Sequence, residues 1–287
     1  MMGMAIGCKV IADEVKAAVG KKAERFEGLH GRKPKLCIIT IGDDEASRVY
    51  VRNKVRDCQA YGIDAMHFDV MDSANASMGL YYAIDRANKN DDIDGIIVQL
   101  PLPAHIDPRE VAEAIDPAKD VDGITPESTW RLYNGDPGLE PCTPAGIMKV
   151  LNSYNLIRPG GNAVVVGRSM IVGRPMAMML EHADMTVTLC HSRTPWHKLS
   201  YALEVADIVV SAVGKPGLIK GTMLGNAPTV IDVGITRGED GRLHGDCDEL
   251  VPKYAYMYTP VPGGIGLMTR AMLLSNVVKA AERRCSR

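Results

Sequence analysis

The stretch VVVGRSMIVGRP (Val164–Pro175) joins an all-apolar run to a helical pattern through a glycine-bearing turn. Such a turn suits a phosphate, because the first amides of a helix point outward and its dipole favours an anion. Gly167 and Gly173 frame it, and Arg168, Ser169 and Val172 lie between them. The spacing is Gly-x-Ser-x-x-x-Gly rather than G-x-G-x-x-G, so the context carries more weight than the letters. That context is a repeated alternation. AVVVG, TVTLC, DIVVSAVG and TVIDVG read as strands, and RPMAMMLEHA and LSYALEVA as the helices between them. Alternation of this kind predicts a parallel sheet that binds a dinucleotide at its first turn.

The end of the second strand separates two cofactors. An NAD site places Asp or Glu there for the ribose 2′-hydroxyl, whereas NADP needs positive charge. TVTLC runs into His191, Ser192 and Arg193, with no carboxylate among them, and Arg168 adds charge from the turn. The pattern favours NADP, the alternative being a solvated basic loop. His191 lies in this region, so contact with phosphate or ribose suits it better than acid catalysis.

A similar pattern precedes this block. KLCIITIG (35–42) reads as a buried strand, SRVYVRNKVRDCQAYG (47–62) as a helix closing at Gly62, and IDAMHFDV (63–70) as a strand. MGLYYAIDRANKN (78–90) reads as a helix and IDGIIVQLPLP (93–103) as a strand running into prolines. Pro101 to Pro144 reads as an irregular connection in which DPAKDVDGIT and GLEPCTPAG are loops of fixed shape. A helix over PAGIMKVLNSYNL (144–156) follows it, and TRAMLLSNVVKAAERR (269–284) forms a last amphipathic helix. The fold expected is α/β with two domains. Residues 1–144 with 270–287 form the first, the last helix packing back on it, and 145–269 form a Rossmann-like dinucleotide-binding domain.

Composition narrows the function. The chain has 287 residues, 46% hydrophobic and 24% charged, with a formal net charge of -2. That balance gives no general attraction for nucleic acid or an anionic membrane, so an anionic ligand needs a local basic site. Seven scattered cysteines without C-x-x-C suggest neither a disulfide framework nor a zinc site, and the histidines lack ligand spacing. No metal is expected. No run approaches the ~20 apolar residues of a membrane helix, and the start reads as no secretory signal. A reduced, cytoplasmic setting is expected.

Tyr50 and Lys54 stand four residues apart on the predicted helix 47–62 and so share a face. Y-x-x-x-K is also the catalytic pair of short-chain dehydrogenases. There the glycine-rich turn comes first and the tyrosine far downstream, and this chain has the reverse order. A plain amphipathic helix, with Val51 and Val55 inward, is the other reading. Gln99 ends the apolar strand GIIVQ, where an apolar residue would be expected, so its amide should face a cleft at the strand's carboxyl end.

ASRVYVRNK, VQLPLP, PAKDVDGI, PCTPAG, VVVGRSMIVGRP, TVTLCHSRT, DIVVSAVGKP, VIDVGI and TPVPGGIG follow one another in this order over nearly the whole chain. Together they resemble the bifunctional methylenetetrahydrofolate dehydrogenase/methenyltetrahydrofolate cyclohydrolase family. The resemblance implies an N-terminal folate-side domain, a C-terminal NADP-binding domain and a cleft between them. It implies NADP-dependent oxidation of 5,10-methylenetetrahydrofolate and hydrolysis of the methenyl product to 10-formyltetrahydrofolate. By analogy Lys54 is catalytic, Gln99 its hydrogen-bonding neighbour, Tyr50 a ring beside the pterin, and Asp122 the carboxylate that holds it, with Asp120 as an alternative carboxylate. Leu100, Pro101, Pro262, Gly263 and Gly264 would line the folate site, Ser192 would sit near the 2′-phosphate, and Ile235 along the nicotinamide. Leu267 stands where the family commonly has proline, which is expected to loosen the turn before the last helix. A homodimer is implied as well. The alternatives are the same fold with one of the two activities, or a non-catalytic NADP-binding module.

Overall fold

The computed structural model of the protein describes residues 2–42, 45–71 and 76–286. In chain order it contains β1 (Met4–Ala5), α1 (Cys8–His30), β2 (Lys35–Ile41), α2 (Glu45–Ala60), β3 (Asp64–Val70), α3 (Ala76–Lys89) and β4 (Gly95–Val98). Next come α4 (Pro108–Ala114), α5 (Pro126–Tyr133), α6 (Cys142–Ser153), β5 (Asn162–Val166), α7 (Gly173–Glu181), β6 (Thr186–Cys190), α8 (Trp196–Glu204) and β7 (Ile208–Ser211). The chain finishes with β8 (Thr229–Asp232), β9 (Thr236–Arg237), β10 (Leu243–His244), α9 (Val251–Tyr254), β11 (Met257–Tyr258) and α10 (Ile265–Cys285).

Two compact units emerge. One comprises Glu14–Cys142 with Arg270–Arg287, the other Met1–Asp13 with Thr143–Thr269. The first unit holds the parallel sheet β3-β2-β4. Successive side chains of β2 face opposite ways, which sorts them into two cores. Leu36 and Ile38 join Val19 and Ala23 of α1, Val51 and Cys58 of α2, and Leu273, Leu274 and Val277 of α10. Cys37, Ile39 and Ile41 join Leu80, Ala83 and Ile84 of α3 and Val111 of α4. Helices therefore cover both faces of this sheet, as a continuous apolar strand requires.

The second unit holds a six-stranded sheet ordered β1-β11-β8-β7-β5-β6, every pairing in it parallel. Strand β5 lies inside, with β6 to one side and β7 to the other. The chain reverses its direction of travel across the sheet at β5/β7, and that is where an open α/β sheet leaves a crevice beyond its strand ends. α7 packs on β5 and β6.

Two expectations are corrected. Residues 1–13 fall in the second unit, because β1 pairs with β11 through Met4↔Met257 and Ala5↔Tyr258. The stretch 101–144, expected to be irregular, contains α4 and α5. Pro108 and Pro126 sit in the first turn of those helices, where the missing N–H costs nothing. Asp107 and Thr125 cap them by accepting from Arg109 N–H and Ser128 N–H. At Leu267 the turn gains a bond that proline could not make, since the leucine N–H donates to the Gly264 carbonyl at 3.1 Å.

α10 contributes a continuous apolar stripe to the first unit, and Leu274 on it is 1% exposed. Leu274→Ala should cost about 2–5 kcal/mol, the usual range for a buried leucine that leaves a cavity. A fall in the urea midpoint of less than 1 kcal/mol equivalent would show that this helix adds little to the core.

Candidate active site

Lys54 lies in the middle of α2, and its Nζ donates to Gln99 Oε1 at 2.8 Å. Gln99 follows the last residue of β4. Its backbone N–H continues the ladder to Ile39 O at 2.8 Å, while its Nε2 donates to Leu100 O at 2.6 Å. That second bond fixes the amide orientation, because the nitrogen is held by a carbonyl and the oxygen must face the lysine. Tyr50, one turn before Lys54, is 45% exposed. Leu100 is half-buried and Pro101 exposed, joined by a cis peptide bond.

Asp122 reaches the same place from the loop before α5. Gly123 has φ +68°, and a Cβ there would lie 2.6 Å from Pro141 N, so the loop packs directly on the segment leading into α6. Val121 O accepts from Cys142 Sγ at 3.2 Å and from Asn276 Nδ2 at 2.9 Å, and Asn276 Nδ2 also donates to Glu140 O at 2.8 Å. The carboxylate is thereby set beside the Lys54 ammonium and the Cys142 thiol. Asp120 is fully buried; its Oδ2 accepts Thr125 N–H at 2.7 Å, and its Oδ1 has no hydrogen-bond partner among the described residues.

Burial dominates the electrostatics here. It lowers the Lys54 pKa from the ordinary lysine value, and the Asp122 charge opposes it without overcoming it. Burial raises the Asp122 carboxyl, with Lys54 pulling it down and Asp120 pushing it further up. The Cys142 thiol is raised well above its ordinary value by burial and by Asp122, so it is no thiolate nucleophile. The nearby Cys58 thiol is pushed up to about 12, also mainly by burial.

In the second unit Gly167 follows β5 with φ +122°, and a Cβ on it would lie 2.4 Å from Ala212 O. A Cβ on Gly173 would lie 2.0 Å from Gly167 O. Both positions admit glycine alone, which lets the turn pack tightly on the β7 loop and on the start of α7. Ser169 Oγ accepts from Val172 N–H and Gly173 N–H at 3.2 and 3.3 Å. These amides of the turn thus hold the serine rather than pointing free, contrary to the expectation that they face outward. Arg168, Ser192 and Arg193 are exposed and His191 half-buried. His191 N–H donates to Thr194 Oγ1, and His191 Nδ1 accepts from Arg193 N–H at 3.2 Å. A basic turn without a carboxylate therefore stands at the end of β6. Among the described residues no group of His, Cys, Asp or Glu could hold a metal ion.

These two arrangements match known sequences over almost all of the chain. Residues 6–122 match the catalytic domain of tetrahydrofolate dehydrogenase/cyclohydrolase, and residues 141–285 match its NAD(P)-binding domain. The chain belongs to the tetrahydrofolate dehydrogenase/cyclohydrolase family. It is 46% identical over 283 residues to the bifunctional protein FolD of Magnetococcus marinus, covering 98% of each chain. It is 44% identical over 286 residues to that of Campylobacter hominis, covering 99% of this chain and 98% of the relative. Among solved structures it is similar to the Trypanosoma brucei methylenetetrahydrofolate dehydrogenase-cyclohydrolase complexed with NADP and an inhibitor (TM-score 0.94, 32% identity, all of both chains). It is also similar to the Campylobacter jejuni bifunctional enzyme (TM-score 0.92, 39% identity, 97% and 98% covered).

Membership in the tetrahydrofolate dehydrogenase/cyclohydrolase family covers both units. The remaining expected residues lie in the second one. Pro262 and Gly263 are exposed after a cis Val261–Pro262 bond, and Gly264 is buried, where a Cβ would meet Pro260 O at 2.4 Å. Ile235 is 43% exposed beyond β8. Lys54, Gln99 and Asp122 are brought together, and the Gly167 turn lies at the strand ends of its own sheet. Cys142 was not singled out from sequence, although PCTPAG was. Its only signal was a cysteine between two prolines, and its contact with Val121 spans 21 residues.

The balance at Lys54 is open to direct titration. Lysine-selective NMR should place its pKa below the ordinary ~10.4. Asp122→Asn should lower it further, because the variant removes the carboxylate that favours the cation. An unchanged or higher value in the variant would contradict the assigned balance.

Proposed function

We propose that the chain is a bifunctional enzyme that oxidises 5,10-methylenetetrahydrofolate with NADP and hydrolyses the methenyl product to 10-formyltetrahydrofolate. The observation that carries this reading is Lys54 Nζ bonded to Gln99 Oε1 beside Asp122, in a chain whose family performs both reactions. Retention of this proton-transfer group speaks against a non-catalytic NADP module.

NADP, when bound, supplies the hydride acceptor for the methylene carbon. The Gly167–Gly173 turn suits its pyrophosphate as a tight strand-to-helix turn that only glycine permits at both positions, with Arg168 beside it. Arg168, Ser192 and Arg193 suit the 2′-phosphate by charge and hydrogen bonding, and Ile235 offers an apolar surface for the nicotinamide. For the folate, Tyr50 offers a ring face to the pterin, and Asp122 accepts from its amino group and ring N–H. Leu100, Pro101 and Pro262–Gly264 supply the remaining substrate contacts.

Hydrolysis proceeds by addition of water to the cationic methenyl carbon. The new C–O bond forms as a proton leaves the water; the carbon–N5 bond then breaks as N5 takes a proton and the hydroxyl proton leaves to solvent, giving the formyl C=O on N10. The Lys54 amine accepts the first proton and its ammonium returns one to N5. A lysine at its ordinary value is almost fully charged at neutral pH, and burial at this site makes the neutral amine accessible. A cationic substrate pushes in the same direction. Gln99 keeps the amine aimed.

A reducing, cytoplasmic setting is supported by seven free cysteines, five of them buried. Among the described residues no helix is long and apolar enough to cross a membrane. The homodimer that the resemblance implies is checked by sedimentation.

The deciding assay follows the absorbance of methenyltetrahydrofolate with and without NADP. Lys54→Met should lower its hydrolysis by about 10²–10⁴-fold, the usual worth of general acid–base catalysis, while NADP affinity stays near wild type. Hydrolysis at near the wild-type rate would remove Lys54 from the mechanism. NADP should be preferred to NAD. Arg193→Ala should weaken that preference by about tenfold, the loss of one charge-assisted bond; a wild type that prefers NAD would overturn the cofactor assignment.

A further inference from the structure

Asp246 is fully buried, lies outside every motif read above, and has each carboxylate oxygen engaged. Oδ2 accepts from Ser211 Oγ and Val213 N–H, both at 2.8 Å, and Oδ1 accepts from Lys215 N–H at 2.7 Å. Its own N–H donates to Asp232 Oδ1 at 2.9 Å, and that oxygen also accepts Gly234 N–H at 3.0 Å. One carboxylate therefore fixes the alternate amides of the loop leaving β7, and through Asp232 it fixes the loop leaving β8.

These loops leave the strand ends at the switch point of the sheet. Ala212, between the bonded residues, packs its carbonyl against Gly167, the first glycine of the phosphate turn. Gly214 turns with φ +70°, and its carbonyl accepts from Thr236 Oγ1 at 3.1 Å. Gly234 precedes Ile235, and a Cβ on Gly234 would lie 2.2 Å from Asp246 Oδ1. A carboxylate placed merely to hold the fold could sit anywhere in the sheet. This one has all its side-chain bonds in the segment that floors the nucleotide turn.

We propose that Asp246 is a positioning residue for NADP, shaping the 211–215 loop against the Gly167 turn. The inference rests on the NADP reading above. Asparagine at this position has one acceptor and one donor end. Whichever way its amide turns, an –NH₂ faces the N–H of Val213 or of Lys215, and one buried amide is left without an acceptor. The loop should shift while the folate chemistry of the other unit is untouched.

The test compares wild type, Asp246→Asn and Ser211→Ala in both assays. Asp246→Asn should raise the NADP KM about tenfold or more, with kcat at saturating NADP within about threefold and NADP-independent hydrolysis unchanged. An unchanged KM overturns the proposal. So does an equal loss of kcat and KM terms together with a lowered melting temperature, which marks a purely structural role. If Asp246→Asn does not accumulate as folded protein, Ser211→Ala decides, since it removes a single bond and keeps both amide contacts. A KM raised about twofold to fivefold at unchanged melting temperature supports the positioning role, and an unchanged KM overturns it. Failure of the NADP reading itself would show in the wild type, before any variant is compared.

Discussion

Lys54 brings an ammonium group out of water, and the first unit is organised around that fact. An unpaired buried charge is costly, so such a lysine either loses its proton or is surrounded by acceptors. Here it has an amide oxygen at 2.8 Å and a carboxylate near by, and burial still lowers its pKa. The acceptors are themselves held. Gln99 cannot rotate without losing Leu100 O, and Asp122 cannot retreat without unpacking Gly123 from Pro141. Behind Asp122 lies Asn276 on α10, whose buried amide ties the carbonyls of Val121 and Glu140 together. The last helix of the chain thus serves a loop more than a hundred residues earlier, which explains why it packs with Glu14–Cys142 rather than with the residues just before it.

The second unit obeys a different constraint. Parallel strands place their carboxyl ends on one side, and the connecting loops must satisfy their own amides there. Asp232 and Asp246 do this from inside, accepting from Gly234, Asp246, Cys247, Val213 and Lys215. With the loops so held, the turn at Gly167 has a fixed floor.

What was readable in the sequence follows from these constraints. Strands β2, β4, β5 and β7 stood out because a strand covered on both faces is apolar without a break, as in LCIITI and IVVS. Lys54, Gln99 and Asp122 emerged because a polar residue that ends an apolar strand, or that repeats a family motif, contrasts with its surroundings. α1 did not stand out: Gly20 interrupts it, and buried Lys16 on it looks like a surface residue until Asp57 appears at 3.1 Å. α4 and α5 were hidden by Pro108 and Pro126, which read as breakers but stand at helix starts. Asp246 was invisible for another reason. Its partner Ser211 is 35 residues away, and no local spacing encodes a contact made through the fold.

Buried carboxylates are used in two ways in one chain, although burial raises the shape-holding Asp232 as it raises Asp122. A group that must hold a shape takes several donors on both oxygens, as Asp246 does. A group that must take part in chemistry is left with burial only partly offset, as Lys54 and Asp122 are. Asp120 stands between these cases. One of its oxygens takes Thr125 N–H and anchors the start of α5, while the other has no partner among the described residues and its charge raises Asp122. The Asp120 charge therefore bears on the site as well as on the scaffold, since it raises the Asp122 carboxyl while holding the start of α5.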